Sequence, residues 1–336
     1  MGTDTRLRNA GRAATSARPR LTAEQRAALV SALPRALAAL VRVDEPIGPH
    51  TTWKIGGPAD LWVEVASPRE LGAVLRSCDA LGVPLRVLGA GSNVLVADEG
   101  AAGVVVALGG DLEQVVLERA TERSLSLRAG AGARLTAFAR RISNEGWSGL
   151  EFAVGIPSTV GGALVMNAGA HGREMKDVVT WAEIVEKSGE RRRLEPRELG
   201  FSYRRTALPP QCVVSRVGIA LTRDDPAAIR ARVRAHLDYR KRTQPLTEPS
   251  CGSVFVNPPD SSAGRLVEEA GLKGRRIGGA EISPLHANFI VNVGGASAAD
   301  VVALVREARA AVASRTGIEL RPEVKPFGDF AGGAPW

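Results

Sequence analysis

The alternation of apolar and polar residues divides the chain into three stretches. From Leu21 to about Val43, Leu and Val recur at helical spacing, and Pro34 predicts a kink. Leu61-Trp62-Val63-Glu64-Val65 alternates like a strand. Ser67-Pro68-Arg69-Glu70 then places Ser as an N-cap, Pro at the first helical position and Glu three residues after the cap, which opens a helix to about Leu81. Short strands predicted at 85–88, 94–97 and 104–107 complete a small α+β unit. A second unit has strands near 114–118 and 124–129, a helix around 135–145 and a Gly-rich stretch at 155–172. Its further strands fall near 179–187, 191–194 and 213–222, with Ser188-Gly189 as a hairpin turn signal. The third starts with a helix at 226–242. Ser297 to Asp300 caps another helix to about Ser314, in which Val301, Leu304, Val305, Ala308 and Val312 share one face. Ile318–Phe327 reads as a strand and exit loop. The expected divisions are a flexible basic tail at 1–20, units at 21–110, 111–222 and 223–317, and a C-terminal strand and tail at 318–336.

At 336 residues the chain is long enough for two domains or three small ones. Its net charge of +8 is unevenly spread. Arg6, Arg8, Arg12, Arg18 and Arg20 face only Asp4 in the first 20 residues, so half the excess sits in the tail. The remainder is too weakly basic to argue for a polyanion partner, and 4% aromatics is poor material for base stacking. Cys78, Cys212 and Cys251 are odd in number and far apart, which speaks against a disulfide framework or a zinc site. The four histidines, His50, His171, His236 and His286, have no metal-ligand spacing, and no metal is expected. No apolar run is long enough for a membrane span, and the N-terminus lacks the apolar centre of a secretory signal. The expectation is a soluble, cytoplasmic protein with no nucleic-acid or membrane partner.

Glycine is abundant, 37 residues, and two stretches concentrate it. Gly89-Ala90-Gly91-Ser92-Asn93-Val94 is not a dinucleotide fingerprint, because the sixth position is Val and the next segment reads as a strand where that motif needs a helix. It is either a plain tight turn or a concavity of backbone N–H groups suited to phosphate oxygens. In Gly155-Ile-Pro157-Ser158-Thr159-Val-Gly161-Gly162, followed by Asn167 and Gly169, Pro157 with Ser158 or Thr159 can start a helix whose free N–H groups face an anion. Gly161 and Gly162 just inside that helix mean that something approaches too closely for a Cβ: a neighbouring element or a phosphate. There is no nucleophile elbow and no P-loop. Composition and spacing stop at an α/β protein that binds a phosphorylated ligand.

Taken in order, the segments resemble a known family, the UDP-N-acetylenolpyruvoylglucosamine reductases (MurB). The match spans roughly residues 44–328. It includes His50-Thr-Thr52-Trp53-Lys-Ile55-Gly56-Gly57, Gly89–Asn93, Leu150–Pro157, Gly161-Gly162 through Asn167-Ala-Gly169-Ala170, and Tyr203-Arg204. Cys251-Gly-Ser253-Val-Phe-Val-Asn257, Ile277-Gly-Gly279 and Arg321-Pro-Glu323-Val continue it. The short Arg204–Ser253 interval resembles the family's second type, which lacks an extra substrate-covering insertion.

The resemblance implies an α+β fold: two subdomains that cradle FAD, of the vanillyl-alcohol-oxidase (PCMH) type, followed by a smaller α+β substrate domain. It also implies a reaction in which NADPH reduces FAD and the flavin reduces the enolpyruvyl ether of UDP-N-acetylglucosamine to UDP-N-acetylmuramate, a peptidoglycan precursor. Arg204, Ser253 and Glu323 match the catalytic set: a carboxylate grip, a proton donor to the enolate, and a carboxyl that must be neutral or act through a neighbour. Tyr203, Arg204 and Asn257 fall at substrate positions. FAD would take Thr52, Ile55, Gly56 and Gly57 along one side. Gly89, Ala90, Gly91, Ser92 and Asn93, with Gly155, Ser158, Thr159, Gly161, Gly162, Asn167 and Gly169, would surround its pyrophosphate. Members are expected to be monomers. Three residues depart from the family pattern: Ser158 stands for a more usual Gly, His171 for a common Tyr, and Thr243 for a Lys near the substrate. Two rival readings keep part of this picture, an FAD-dependent oxidase of small alcohols or lactones and a non-enzymatic nucleotide- or polyanion-binding protein.

Overall fold

The computed structural model describes residues 19–336. The basic tail expected at 1–20 therefore lies outside the described residues except at its end, where Arg20 is not a tail residue at all. Its guanidinium pairs with the fully buried Asp60 and with Asp44, and Arg26 joins both carboxylates. Asp60 also accepts the Leu21 and Gly103 N–H groups, so one buried carboxylate fastens the N-terminal segment to the first sheet.

The first unit contains α1 (Ala23–Ala32), α2 (Arg35–Ala38), β1 (Arg42–Pro46), β2 (Pro58–Val65), α3 (Pro68–Ala80), β3 (Leu85–Val87), β4 (Val94–Val96) and β5 (Ala101–Leu108). Its sheet runs β1-β2-β5-β3, antiparallel at β1/β2 and parallel elsewhere. The helix expected across 21–43 is shorter. Pro34 forces Leu33 into extended backbone, and residues 42–46 leave the helix to pair with β2 as an edge strand. The alternation at Leu61–Val65 does not mark a half-exposed strand either. Leu61, Val63 and Val65 pack under α1–α3, while Trp62 packs on the opposite face with Ile47, Val96 and Phe327.

The second unit contains β6 (Val115–Ala120), β7 (Ser124–Gly130), α4 (Leu135–Asn144), β8 (Trp147–Ser148), α5 (Val160–Val165), β9 (Gly169–Ala170), β10 (Arg173–Glu174), β11 (Val179–Glu186), β12 (Arg191–Leu194), β13 (Cys212–Arg223) and α6 (Pro226–Thr243). An antiparallel sheet ordered β12-β11-β13-β7-β6 carries it, with β8 paired to β13. The boundary expected at 222/223 falls too early. Ile229 of α6 is fully buried, Val233 and Leu237 pack on this unit's core, and Arg232 pairs with Glu151 at 2.8 Å.

The third unit contains α7 (Ala263–Glu269), β14 (Arg276–Ile277), β15 (Ala280–Ile282), β16 (Ile290–Asn292), α8 (Ala298–Thr316) and β17 (Lys325–Phe327). Ser297 caps α8 in a full capping box, and the apolar face read from the sequence is buried. This unit is fastened to the first at three points. Trp53 packs in its core and donates its indole N–H to the Ile290 carbonyl at 2.8 Å; Asp98 accepts the first two N–H groups of α8 at 2.7 and 2.9 Å; and β17 pairs in parallel with β4.

Candidate active site

Six chain segments, around residues 51, 91, 159, 204, 253 and 323, converge where the three units meet. The Gly89–Asn93 loop joins β3 to β4 and lies against residues 50–52, because the Thr52 N–H and hydroxyl both donate to the Gly91 carbonyl, at 3.1 and 3.3 Å. Gly91 has φ +61°, and a Cβ there would lie 2.6 Å from the His50 carbonyl oxygen and from the Thr51 Cα, so only glycine fits. On the other flank a Cβ at Gly89 would meet the Thr159 hydroxyl at 2.6 Å. Among the described residues, the N–H groups of Gly89, Ala90, Gly91 and Ser92 donate to no protein acceptor. A run of unspent donors in a glycine-shaped cradle suits the oxygens of a pyrophosphate. The donor set therefore fits a dinucleotide cofactor, and the loop keeps the phosphate-binding alternative open that its sequence allowed.

The far end of the loop reaches the catalytic candidates. The Asn93 carbonyl accepts the Lys325 N–H at 3.0 Å, and its side chain donates to the Glu323 carbonyl at 3.4 Å. Arg204 Nε stands 3.0 Å from Glu323 Oε1. Arg204 holds φ +56° in a tight turn closed by mutual Ser202 and Arg205 backbone bonds, and left-handed backbone at a non-glycine residue is often kept for a functional constraint. Ser253 sits in the segment beside Glu323, whose N–H donates to the Val254 carbonyl at 2.8 Å. Burial pushes the Glu323 carboxyl above its usual range; Arg204 and Lys325 pull it back only in part. The buried Cys251 thiol is pushed up as well, by burial first and then by Glu323. Tyr203 is exposed, with the Arg204 guanidinium 5.1 Å from its ring centre.

The second glycine-rich stretch behaves differently. Thr159 caps α5 as expected and accepts the Gly162 N–H at 3.2 Å. The next N–H groups are spent inside the protein: Val160 donates to Ala133 at 2.9 Å and Gly161 to Ala131 at 2.8 Å. The helix start expected to offer free donors to an anion is thus laced to residues 131–133, in the turn between β7 and α4. A Cβ at Gly161 would lie 2.8 Å from the Ala131 Cβ, so this glycine answers a close helix–sheet crossing. Gly162 is looser, its nearest neighbours being the Ser158 and Thr159 hydroxyls. Ser158 turns its hydroxyl onto the Thr159 carbonyl at 2.9 Å.

Several residues expected at the cofactor have internal duties that explain their type. Asn167 is fully buried at φ +40°; its amide donates to Glu174 at 2.8 Å and to the Ser202 carbonyl at 3.0 Å, and its oxygen accepts the Lys176 N–H. It pins the β9–β10 hairpin to the Arg204 turn. Gly169 admits the β10 strand, Gly155 lies under the Arg240 guanidinium, and Gly56 and Gly57 admit Val96 and the Asp98 carbonyl. The Ile55 side chain is buried in the third unit's core. Asn257, expected at the substrate, accepts the Ala263 N–H at 3.0 Å where α7 begins.

Asn288 was not anticipated. Both ends of its buried amide bond Phe255, at 2.8 and 2.9 Å, and its carbonyl accepts the Val254 N–H, so it sets the path of the Ser253 segment. The only signal in the sequence is one amide between apolar residues in Ala287-Asn288-Phe289-Ile290.

Fold and site together define an FAD-binding protein: residues 59–195 match the sequence model for an FAD binding domain. Residues 244–327 match the model for the UDP-N-acetylenolpyruvoylglucosamine reductase C-terminal domain, which begins just after α6. A UDP-N-acetylenolpyruvoylglucosamine reductase from Heliobacterium modesticaldum is 48% identical over 86% of this chain and 91% of its own. One from Moorella thermoacetica is 44% identical over 90% and 98%. The crystal structure of the Thermus caldophilus reductase superposes with a TM-score of 0.74 at 38% identity, covering 85% of this chain and 98% of that one. The chain belongs to the UDP-N-acetylenolpyruvoylglucosamine reductase family.

Proposed function

We propose that Arg204, Ser253 and Glu323 carry the chemistry of an FAD-dependent reduction of the enolpyruvyl ether of UDP-N-acetylglucosamine, with NADPH as reductant, in the synthesis of peptidoglycan precursors. The observation that carries this reading is the convergence of Arg204, Glu323 and the Ser253 segment at one end of the Gly89–Asn93 cradle. FAD, when bound, passes the hydride from the nicotinamide to the enolpyruvyl double bond. The protein's part is to meet the charge that follows. Hydride addition at the terminal carbon leaves an enolate on the adjacent carbon and its carboxylate, and preorganised donors aimed at developing charge are usually the largest catalytic contribution. Arg204 is permanently cationic and can grip a carboxylate with two parallel hydrogen bonds. A substrate carboxylate arriving beside Glu323 adds like charge to a group that burial already disfavours as an anion, so Glu323 takes up a proton and becomes a donor to the same oxygens. The Ser253 hydroxyl then protonates the enolate carbon. A hydroxyl is a poor acid in water, but an enolate carbon is basic enough to accept its proton.

Thr52, Gly89–Asn93, Ser158, Thr159 and Gly162 line the cofactor cradle in this reading, and Tyr203 and Arg204 receive the substrate. The same reading has the protein act as a monomer in the cytoplasm. It is supported by the chemistry of a charged nucleotide-sugar substrate; among the described residues no helix is long and apolar enough to cross a membrane.

The test is an anaerobic absorption titration of the purified protein, first with NADPH and then with the enolpyruvyl substrate. The flavin band is expected to bleach and to return only on the second addition. Ser253→Ala should keep the first step and slow the second by about 10²–10⁴-fold, the usual worth of a general acid. Equal loss of both steps would remove Ser253 from the proton-donor role, and a flavin that re-oxidises only in air would favour the oxidase reading.

A further inference from the structure

Helix α6 presents His236, Tyr239 and Arg240 to the β9–β10 hairpin, and His171 at the hairpin tip meets them. The two imidazoles stack with centroids 3.8 Å apart and planes 3° from parallel, and Tyr239 stands edge-on to His171 at 5.6 Å. His171 holds φ +54°, a left-handed conformation that His accepts more readily than most residues. His236 Nδ1 lies 3.1 Å from the Glu151 carbonyl, which can only accept, so that nitrogen carries the proton and fixes the ring.

The charges around the stack are mostly cationic. Arg240 packs over Gly155 and donates its Nε to Gln244, and no carboxylate among the described residues lies within ion-pair distance of it. The acidic groups nearby are engaged elsewhere. Glu151 and Asp224 pair with Arg232, Glu174 pairs with Lys176 and accepts the Asn167 amide, and Asp177 pairs with Arg173. Burial, then His236, then Arg240 hold His171 below the ordinary imidazole range. Protonating His171 would set its charge beside the Arg240 guanidinium.

We infer that the His171–His236 stack is a positioning contact that holds the β9–β10 hairpin on α6, and through Asn167 the Arg204 turn, only while His171 is neutral, so that acid weakens substrate capture. The mechanical path is explicit: the stack fixes the hairpin tip, Glu174 holds the Asn167 amide, and that amide holds the Ser202 carbonyl at the base of the Arg204 turn. No part of the path includes Ser253. This inference rests on the proposed reductase function for its kinetic consequence and not for its structural half.

Two measurements test it. The four histidines give few imidazole proton resonances, so His171 can be followed by NMR between pH 5 and 8 without substrate. Its midpoint is expected below 6.5 in the wild type, and His236→Gln should move it upward toward that value. The kinetic measurement is the pH profile of kcat and KM for the enolpyruvyl substrate. Wild-type kcat/KM should fall about tenfold per pH unit below the His171 midpoint, chiefly through KM, as expected for one proton that abolishes the competent form. His171→Tyr keeps a ring without a titrating nitrogen and should lose that acid limb; His171→Asn tolerates the backbone but lacks the ring, and should show a raised KM at every pH. A His171 midpoint indifferent to His236→Gln, or an acid limb that survives in His171→Tyr, would overturn the inference. Absence of enolpyruvyl-dependent turnover in the wild type at any pH would overturn the reductase reading instead, and the imidazole titrations would then decide the stack alone.

Discussion

Two glycine-bearing stretches of this protein put their glycines to different uses. In Gly89–Asn93, glycine lets the backbone fold tightly between residues 50–52 and Thr159 while four consecutive N–H groups find no acceptor among the described residues. In 155–169, the N–H groups at the start of α5 donate to Ala131 and Ala133, and Gly161 admits the Ala131 methyl. The first stretch leaves its donors free; the second spends them on the protein itself. A glycine count cannot separate these cases, because close approach by a ligand and close approach by a neighbouring element both exclude a Cβ.

The largest effect that could break the contrast is expected at Gly91. Gly91→Ala forces a side chain into left-handed backbone, about 1–3 kcal/mol, and against the His50 carbonyl and Thr51. The folded protein should come off purification with most of its flavin missing, measured by the 450 nm absorbance per chain. Gly161→Ala should do the reverse. Overpacking costs about 1–3 kcal/mol, offset in part by helix propensity, so the melting temperature falls while the folded fraction keeps its flavin. If Gly161→Ala emptied the protein of flavin at unchanged stability, the two loops would have to be treated alike.

At Glu323 the effect is smaller and depends on pH. Because burial raises its pKa in the folded protein, Glu323 is easiest to accommodate below the usual carboxyl range, and stability is lost as pH rises through the raised value. Glu323→Gln has no such loss, so its melting temperature relative to wild type should climb between pH 5 and 8; a constant difference would mean that Arg204 offsets the burial completely. Smallest of all is Ser158→Gly. Among the described residues the hydroxyl bonds only the neighbouring Thr159 carbonyl, so stability and flavin content should stay within about 0.5 kcal/mol and the error of the assay. A clear drop in flavin affinity would show that this hydroxyl reaches the cofactor.

The sequence was most informative where local chemistry is sufficient. The α3 and α8 caps, the Ser188-Gly189 hairpin and the strands of both large sheets other than β1 and β8 follow from spacing and capping residues alone. It misled where the partner is remote. Arg42 and Val43 read as the end of a helix until β2 offers its edge, and α6 looks like the start of the third unit until Ile229 and Arg232 find the second. Likewise Arg20 reads as tail until Asp60 is placed beneath it.

The sequence by itself determined the identity of the chemistry-bearing residues and the order of the motifs that carry them, because residue type and neighbour spacing are local properties. Only the tertiary structure decided which protein atoms stand where each glycine's Cβ would be, and that Arg204 meets Glu323 across more than a hundred residues. It also decided that Asn167 ties the β9–β10 hairpin to the Arg204 turn. The physical reason is the same each time: the worth of a donor, a charge or a missing Cβ is set by what stands opposite it, and the opposing group comes from a distant part of the chain.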